Sequence, residues 1–324
     1  MTMKPLASLY GGVVAARNAL YDRHWLRSRK LQAPVISVGN LSVGGSGKTP
    51  FVILLGDLLA TRGIKFDVLS RGYGRLTRGV LAVDPKGASQ EYGDEPLLIA
   101  KRLDAPVVVG EDRYEAGRLA ESRFAAQLHL LDDGFQHRAL ERDFDIVLVT
   151  PDDARDHLLP AGRLREPLAS LGRADTVALV SGAQPESFPV AGKLVWRVRR
   201  GIVFPDRLSP NRDQHSLRRP VVFCGIARPQ AFLAQLRAAG IDPIAEAFFR
   251  DHHAYSEKDV RDLLELRQRS EADGFVTTEK DAINLGEQLQ ALHPVAIASV
   301  KMELADAANA VDSMLRLIEE RRRA

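Results

Sequence analysis

Along this chain, short apolar runs typical of buried strands alternate with segments in which apolar residues have helical spacing. Short apolar runs predict buried strands at 34–39, 66–70, 106–110, 128–132, 145–150 and 176–181. Between them, apolar residues at helical spacing predict helices at 50–61, 97–103 and 113–122. Strands that alternate with helices in this rhythm are typical of a parallel sheet covered on both faces, so we expect an α/β fold.

The pattern changes after residue 190. Residues 193–204 alternate apolar and charged side chains around Gly201, where a hairpin would turn, and predict a small antiparallel ribbon. A second alternation then predicts strands at 221–225, 274–278 and 295–300 and helices at 229–239, 256–269 and 305–323. We therefore expect a core domain over 33–190, a β-ribbon linker over 191–219 and a second, smaller α/β domain over 220–324.

The first 32 residues form a separate segment with helical spacing between residues 5 and 26. Its large apolar residues define one stripe: Leu6, Leu9, Tyr10, Val13, Val14, Leu20, Tyr21 and Trp25. Arginine and lysine flank the stripe, a combination typical of an amphipathic helix that lies on an anionic membrane surface. A helix that packs only on its own domain fits the same pattern, and the sequence leaves both interpretations open.

Composition limits the compartment and the partners. Hydrophobic residues make up 45% of the 324 positions and charged residues 27%, values typical of a globular protein. The single Cys224 excludes an intramolecular disulfide framework and indicates a reducing compartment. We see no run of roughly 18 apolar residues and no secretory cleavage pattern, so we expect a protein at the cytosolic face of a membrane or in the cytosol. The sequence shows no surface pattern of basic and aromatic residues of the kind that binds nucleic acid, so we expect no nucleic-acid partner. We also expect no obligate protein partner.

A glycine-rich turn follows the first predicted strand and precedes the first predicted helix. It contains the Gly-Lys-Thr end of a P-loop, although serine stands where the first glycine of the pattern belongs. Backbone N–H groups of such a loop cradle the phosphates of a nucleotide, the lysine reaches the β- and γ-phosphates, and the threonine hydroxyl binds Mg²⁺. The predicted nucleotide-binding residues are Ser42, Val43, Gly44, Gly45, Ser46, Gly47, Lys48 and Thr49.

Acidic residues end the strand predicted at 128–132. In P-loop proteins, an aspartate at such a strand end lies beside the phosphate loop and holds Mg²⁺. We therefore predict Asp132 as a metal ligand beside Thr49, with Asp133 behind it. Taken alone, a strand that runs into Asp-Asp-Gly is more often just a turn, and its position downstream of a P-loop favours the metal site.

Seven stretches in this order resemble the tetraacyldisaccharide 4'-kinase family of lipid A biosynthesis. They are VGNLSVGGSGKTP at 38–50, LSRGYGR at 69–75, GDEP at 93–96, LLDDGFQHR at 130–138, PAGRLREP at 160–167, FRDHHAYS at 249–256 and TTEKDAINL at 277–285. The resemblance implies ATP- and Mg²⁺-dependent phosphorylation of the 4' hydroxyl of an acylated glucosamine disaccharide 1-phosphate. It also implies a peripheral enzyme on the cytoplasmic face of the bacterial inner membrane, with a lipid disaccharide and an anionic membrane surface as partners.

The resemblance also assigns roles to single residues. It implies that Asp94 is the catalytic base and that His252 is its partner, in a cleft between the two domains. Taken from the residues alone, Asp94 and Glu95 before Pro96 also fit a helix N-terminus. The predicted substrate-binding residues are Arg71, Tyr73, Arg75, Arg113, His137 and Arg165.

Two assignments carry explicit alternatives. Glu166 is predicted as a further carboxylate near the metal, and a surface ion pair is the alternative for it and for Arg165. A P-loop GTPase or ATPase that works as a switch or metallochaperone is the alternative function. A GTPase binds guanine through an Asn/Thr-Lys-x-Asp motif. The nearest match is at 278–281, where a glutamate separates the threonine from the lysine. A membrane adaptor that binds ATP without turnover is a third class.

Overall fold

The computed structural model describes residues 3–204 and 217–323. The strands in this part of the chain are β1 Val35–Asn40, β2 Phe66–Ser70, β3 Leu81–Ala82, β4 Val107–Val109, β5 Leu128–Asp132, β6 Phe144–Val149, β7 Thr176–Val180, β8 Leu194–Val203, β9 Val221–Cys224, β10 Ala245–Phe248, β11 Phe275–Thr278 and β12 Val295–Leu304. The α-helices are α1 Lys4–Asp22, α2 Lys48–Ala60, α3 Ser89–Tyr92, α4 Asp94–Arg102, α5 Arg113–Arg123, α6 Pro229–Ala238, α7 Glu257–Ser270, α8 Glu279–Leu285 and α9 Ala307–Arg323.

All of these strands join one sheet in the order β10-β9-β11-β12-β8-β7-β6-β1-β5-β2-β4-β3. Neighbours are parallel except at β3–β4 and at β8–β12. The first residues of β8 pair with β7 and the first residues of β12 pair with β11, whereas the last residues of β8 and β12 pair with each other in antiparallel fashion. Because of this stagger, the carboxyl ends of the parallel strands in the two halves face each other. In open α/β sheets, ligands bind outside the carboxyl ends of the strands, so one cleft receives loops from both halves.

The pair β8–β12 differs from the predicted ribbon in one detail. The hairpin predicted at Gly201 is wrong, since β8 continues through that residue and Gly201 pairs with Lys301 of β12. The antiparallel partner therefore comes from a strand almost 100 residues later in the chain, which local alternation cannot predict. Residues 205–216 of the predicted linker lie outside the described residues, and the domain boundaries stay a prediction.

The mostly parallel α/β architecture is as predicted, and its core follows from the apolar runs. Strand β1 is buried along its whole length, as expected for a central strand covered on both faces. Helix α2 packs between this sheet and its neighbours α4 and α9. It buries Phe51, Val52, Leu55 and Leu59, and each such side chain stabilises the fold by roughly 1.5–3 kcal/mol. This core holds the start of α2, where the phosphate loop ends, in a fixed place.

Helix α1 lies on the surface with part of its apolar stripe uncovered. Leu6, Leu9 and Val13 are more than half exposed, as is Trp25 beyond the helix. The helix ends at Asp22, earlier than predicted, because the backbone N–H of Trp25 returns to the carbonyl of Leu20. Among the described residues, no helix has the length and apolarity needed to cross a bilayer.

Candidate active site

A cavity of about 490 Å³ lies at the facing carboxyl ends of the two halves of the sheet. The first half contributes the loop between β1 and α2 and residues at the ends of β2 and β5. The second half contributes residues 226–228 after β9 and 278–280 at the end of β11. The cavity is therefore built from segments that are far apart in the sequence and that meet because of the sheet topology.

The loop between β1 and α2 has the backbone of a phosphate cradle. Gly44, Gly45 and Gly47 have φ values of 73°, 70° and 88°, which favour glycine. Lys48 begins α2, and its Nζ donates to Oδ1 of Asn40 at 3.1 Å and lies 3.5 Å from Asp133. The predicted residues 43–49 line the cavity. Ser42 is buried beneath them, outside the lining.

The two aspartates at the end of β5 have opposite electrostatic environments. Burial, together with the carboxylates of Glu95 and Asp133, raises the pKa of Asp132 to about 7. Burial also opposes ionisation of Asp133, but Lys48 and Arg165 outweigh it and lower the pKa of that carboxyl. Arg165 holds Asp133 in a bidentate pair with distances of 2.8 and 3.0 Å. Asp133 is thus satisfied by protein cations, whereas Asp132 carries excess negative charge.

Asp132 and Thr49 fit a Mg²⁺ site. Oδ2 of Asp132 accepts from the hydroxyl of Ser70 at 3.2 Å, but its buried Oδ1 has no hydrogen-bond partner among the residues that the structure describes. Thr49 is buried and lines the same cavity. Across the described residues, no cluster of three or more acidic, histidine or cysteine side chains has the arrangement of a metal centre. The available set suits Mg²⁺, which binds through one or two carboxylates together with substrate phosphates and water.

Asp94 and His252 form a hydrogen-bonded pair across the cleft. Nδ1 of His252 lies 2.8 Å from Oδ2 of Asp94, which is buried at the start of α4. The bond to Asp94 raises the pKa of His252 against the effect of burial. Burial would raise the pKa of Asp94, but the bond from His252 and the charge of Lys280 lower it overall. The structure therefore favours a carboxylate and an imidazolium at this position.

Backbone geometry beside this pair fixes where Asp94 begins its helix. Gly93 has a φ of 91°, and a Cβ there would lie 2.9 Å from the carbonyl oxygen of Tyr73. The ring of Tyr73 in turn lies 5.1 Å from that of His252. Asp94 borders a smaller cavity of about 50 Å³, and Tyr73 and His252 line both cavities. The pair therefore stands at a wall shared by the two cavities.

The predicted substrate-binding residues divide into two groups. Arg71, Tyr73 and Arg165 line the main cavity. Arg75 does not, because its side chain is buried and donates to the carbonyl of Gly79, with Glu111 as its ion-pair partner. In this structure the contacts of Arg75 lie within its own loop and with Glu111, and its substrate-binding role stays a prediction.

Arg113 and His137 are also absent from the cavity lining. Arg113 is buried and donates to the carbonyl oxygen of Glu111 at 2.9 Å. Burial and the charge of Arg113 lower the pKa of His137 to about 4, so this imidazole is neutral at physiological pH. Arg113 is thus buried and His137 partly buried, both outside the cavity lining, and their substrate-binding roles stay predictions.

Glu166 lies outside the lining of the cavity, and its role as a metal ligand stays a prediction. Its Oε2 accepts from Asn18 at 2.8 Å and from Arg173 at 2.9 Å. The surface position in the ion-pair alternative is wrong, since Glu166 is buried. Its carboxylate links α1 to the segment after Arg165.

The stretch at 277–281, which had no predicted role, holds the second half of the cleft together. Thr278 caps α8 and accepts from the N–H of Asp281. Asp281 accepts from the N–H of Gly225 at 2.7 Å and from the hydroxyl of Tyr255 at 2.8 Å. Lys280 forms an ion pair with Glu95 across the cleft. In the sequence, the motif at 277–285 marked these residues through its resemblance to the family, but it did not indicate which residues they contact.

The chain is similar over its whole length to one family. A family model described as tetraacyldisaccharide-1-P 4'-kinase matches residues 1–319. A curated relative, the tetraacyldisaccharide 4'-kinase of Koribacter versatilis, is 52% identical over 326 residues, covering 98% of this chain and 99% of the relative. The relative of the same name from Geobacter metallireducens is 40% identical over 311 residues and 92% of each chain.

A solved structure has a similar fold. It is the crystal structure of the "apo" form of LpxK from Aquifex aeolicus in complex with ATP at 2.2 Å resolution. The two structures align with a TM-score of 0.79 and 37% sequence identity, covering 98% of each chain. That relative therefore has both the fold seen here and a bound ATP.

Proposed function

We propose a function from one premise: the chain belongs to the tetraacyldisaccharide-1-P 4'-kinase family. The protein transfers the γ-phosphate of ATP to the 4' hydroxyl of a tetraacylated glucosamine disaccharide 1-phosphate, a step of lipid A biosynthesis. The observation that carries this function is the Asp94–His252 pair, because it places a carboxylate beside a phosphate-loop cavity. A kinase needs a group of this kind to accept the proton of the attacking hydroxyl.

We assign the proton transfer to Asp94. We place the acceptor hydroxyl at the wall between the two cavities, because Tyr73 and His252 line both of them. Its oxygen forms the new bond to the γ-phosphorus, the bond from that phosphorus to ADP breaks, and the proton passes to Asp94. His252 keeps Asp94 ionised before the transfer, so that the carboxylate is in the form that accepts a proton.

Cations of the first half of the sheet offset the charge of the phosphates. Lys48 and the backbone N–H groups of the glycine-rich loop bind the β- and γ-phosphates, and Arg165 holds Asp133 beside them. Thr49 and Asp132 would hold Mg²⁺, which neutralises charge on the phosphoryl group during transfer. The unpartnered Oδ1 of Asp132 supports this assignment.

The switch and metallochaperone alternative has no support in the stretch at 278–281. A guanine motif needs its lysine and aspartate to contact a base. Here Asp281 is buried and bonded to Gly225 and Tyr255, and Lys280 is paired with Glu95. Glu279 pairs with Arg102 of α4 at 2.5 Å. Glu279 and Lys280 thus connect the two halves of the cleft, and Asp281 connects segments within the second half.

We further propose that α1 attaches the enzyme to the cytoplasmic face of the bacterial inner membrane. Leu6, Leu9 and Val13 form an exposed apolar row on this helix. The opposite side is tied to the core, since the hydroxyl of Tyr10 donates to the carbonyl of Arg165 at 3.0 Å and Asn18 donates to Glu166. An apolar row facing outward, on a helix fixed to the active-site segment, suits an enzyme whose acceptor is a lipid.

The direct test of the function uses γ-labelled ATP and a purified tetraacylated disaccharide 1-phosphate in detergent micelles. We expect label in the lipid product and none when the acceptor lacks its 4' hydroxyl. A purified enzyme that hydrolyses ATP but never labels the complete acceptor would overturn the assignment.

A further inference from the structure

Arg200 carries a partly buried positive charge that has no acidic partner among residues 3–204 and 217–323. It lies on β8, opposite Met302 of β12, and its side chain lines the main cavity. Nη1 donates to the carbonyl oxygen of Gly45 at 2.8 Å, inside the phosphate loop. Its Nε is buried, and no group in the described part of the chain forms a hydrogen bond with it. Arginine stays protonated in proteins, so this charge persists in the empty cavity.

The other cations of the cavity show why Arg200 stands out. Lys48 and Arg165 lie near Asp133, Arg228 pairs with Asp152 at 3.0 Å, and Lys280 pairs with Glu95. In the described part of the chain, Arg71 and Arg200 are the cavity-lining cations without an ion pair. Arg71 is exposed to water on its turn, whereas Arg200 is partly covered.

A covered, uncompensated guanidinium is unfavourable unless an anion joins it. Burial lowers the pKa of Arg200, the direction expected for a cation without a nearby carboxylate. The carbonyl of Gly45 holds the guanidinium at the rim of the loop that cradles phosphates. No described protein group supplies the missing charge, and a nucleotide in this cavity does.

We propose that Arg200 binds a phosphate group of the nucleotide, so that the strand joining the two halves of the sheet takes part in the phosphate site. This inference rests on the proposed ATP site and deepens it. The guanidinium uses Nη1 to stay on Gly45 and offers its remaining N–H groups and its charge to the polyphosphate. Arg200 is thereby a nucleotide-binding residue for the phosphoryl transfer.

The test compares substitutions that separate charge from tethering. Arg200→Lys keeps the charge, and Arg200→Gln keeps a donor for the Gly45 carbonyl but removes the charge. The matched control is Arg199→Gln on the adjacent residue, whose side chain is 85% exposed and pairs with Glu303. The affinities of each folded full-length protein for ATP, ADP and adenosine are measured by calorimetry, and the melting temperature is measured with and without ATP.

We expect Arg200→Gln to weaken ATP binding about 10- to 100-fold, the effect of one lost charge-assisted hydrogen bond, with adenosine affinity unchanged. Arg200→Lys should retain most of the ATP affinity, and Arg199→Gln all of it. Without ATP, Arg200→Gln should melt no lower than the unmodified protein, because an uncompensated charge has been removed.

Two results would overturn the inference. If Arg200→Gln binds ATP as tightly as Arg200→Lys, the residue is only a tether for the loop. If ATP and adenosine binding fall together, the substitution has collapsed the cavity and the charge has no specific role. Failure of the unmodified protein to bind ATP would instead refute the proposed function, so the two failures are distinguishable.

Discussion

Nδ1 of His252 lies 2.8 Å from Oδ2 of Asp94, although 158 residues separate them in the chain. Asp94 begins α4 in the first half of the sheet, and His252 lies in the loop after β10 in the second half. The pair therefore exists only when the two halves meet at the cleft. Whether this hydrogen bond forms therefore depends both on the protonation state of the proposed base and on the arrangement of the two halves at the cleft.

The first prediction concerns the ionisation of this pair. The raised pKa of His252 gives stability that is fully present below its unfolded pKa and is lost as pH rises through the folded pKa. The lowered pKa of Asp94 gives stability that is lost as pH falls through its folded value. Asp94→Asn should therefore lower the pKa of His252, measured by NMR titration of its ring, and remove the pH dependence of stability in the windows between the unfolded and folded pKa of each group. An unchanged His252 titration would contradict the ion pair.

The second prediction concerns Asp132, whose folded pKa is raised to about 7. Its unfolded pKa is lower, so the folded protein binds more protons in between and loses stability as pH rises through that window. Mg²⁺ competes with the same proton, so Mg²⁺–ATP affinity should rise with pH up to about 7 and binding should release protons. Calorimetry in buffers of different ionisation enthalpy measures this release.

Asp132→Asn provides the matched control for that measurement. It is nearly isosteric and should remove both the proton release and the metal dependence of ATP binding. It should also raise the melting temperature of the nucleotide-free protein above pH 7, because a buried excess charge is lost. Proton release of unchanged size in this variant would assign the titration to another group.

The third prediction concerns the phosphate loop. Lys48→Ala should reduce transfer by at least about 100-fold, because the loop loses its main cation for the β- and γ-phosphates. The fold should persist, since Lys48 is part of no apolar cluster and α2 is held by its buried face. Circular dichroism checks the fold and the labelled-phosphate assay checks the rate. Near-normal turnover by the folded variant would exclude this loop as the phosphate site.

The fourth prediction concerns membrane attachment through α1. Replacing both Leu9 and Val13 with Gln should weaken binding to anionic vesicles by about 100-fold or more, since each loses roughly 1.5–3 kcal/mol of apolar burial in lipid. The apparent KM for the lipid should rise while ATP affinity stays unchanged. Ala15→Gln is the control, because this exposed residue lies on another side of the helix. Equal vesicle binding by all three proteins would make α1 a purely structural helix.

Local sequence patterns predicted the parts of the site that are local in the chain. The phosphate loop follows from a buried strand, three flexible glycines and a lysine at a helix start. Asp132 follows from its place at the end of β5. The pairing of Asp94 with His252 came from a family resemblance, because no periodicity connects residues in two distant loops.

The predicted site residues that lie outside the cavity lining share one physical feature. Arg75 and Glu166 stand in glycine- or arginine-rich motifs beside the site, but their side chains are held by other partners. Glu166 is occupied by Asn18, a residue of the N-terminal helix, which no local pattern places there. Arg200 was not predicted as a site residue, because its position in the cavity depends on the register of β8 with β12. Long-range packing decides these residues.

The central claim is that Asp94 accepts the proton of the acceptor hydroxyl. It is tested most directly by single-turnover transfer of γ-label from bound ATP to the tetraacylated acceptor in Asp94→Asn, His252→Ala and the double variant. We predict a loss of about 10²- to 10⁴-fold in the transfer rate for Asp94→Asn, unchanged ATP affinity, and a double variant little slower than the slower single one. A transfer rate for folded Asp94→Asn within about threefold of the unmodified enzyme would contradict the claim, because general-base catalysis contributes far more than that.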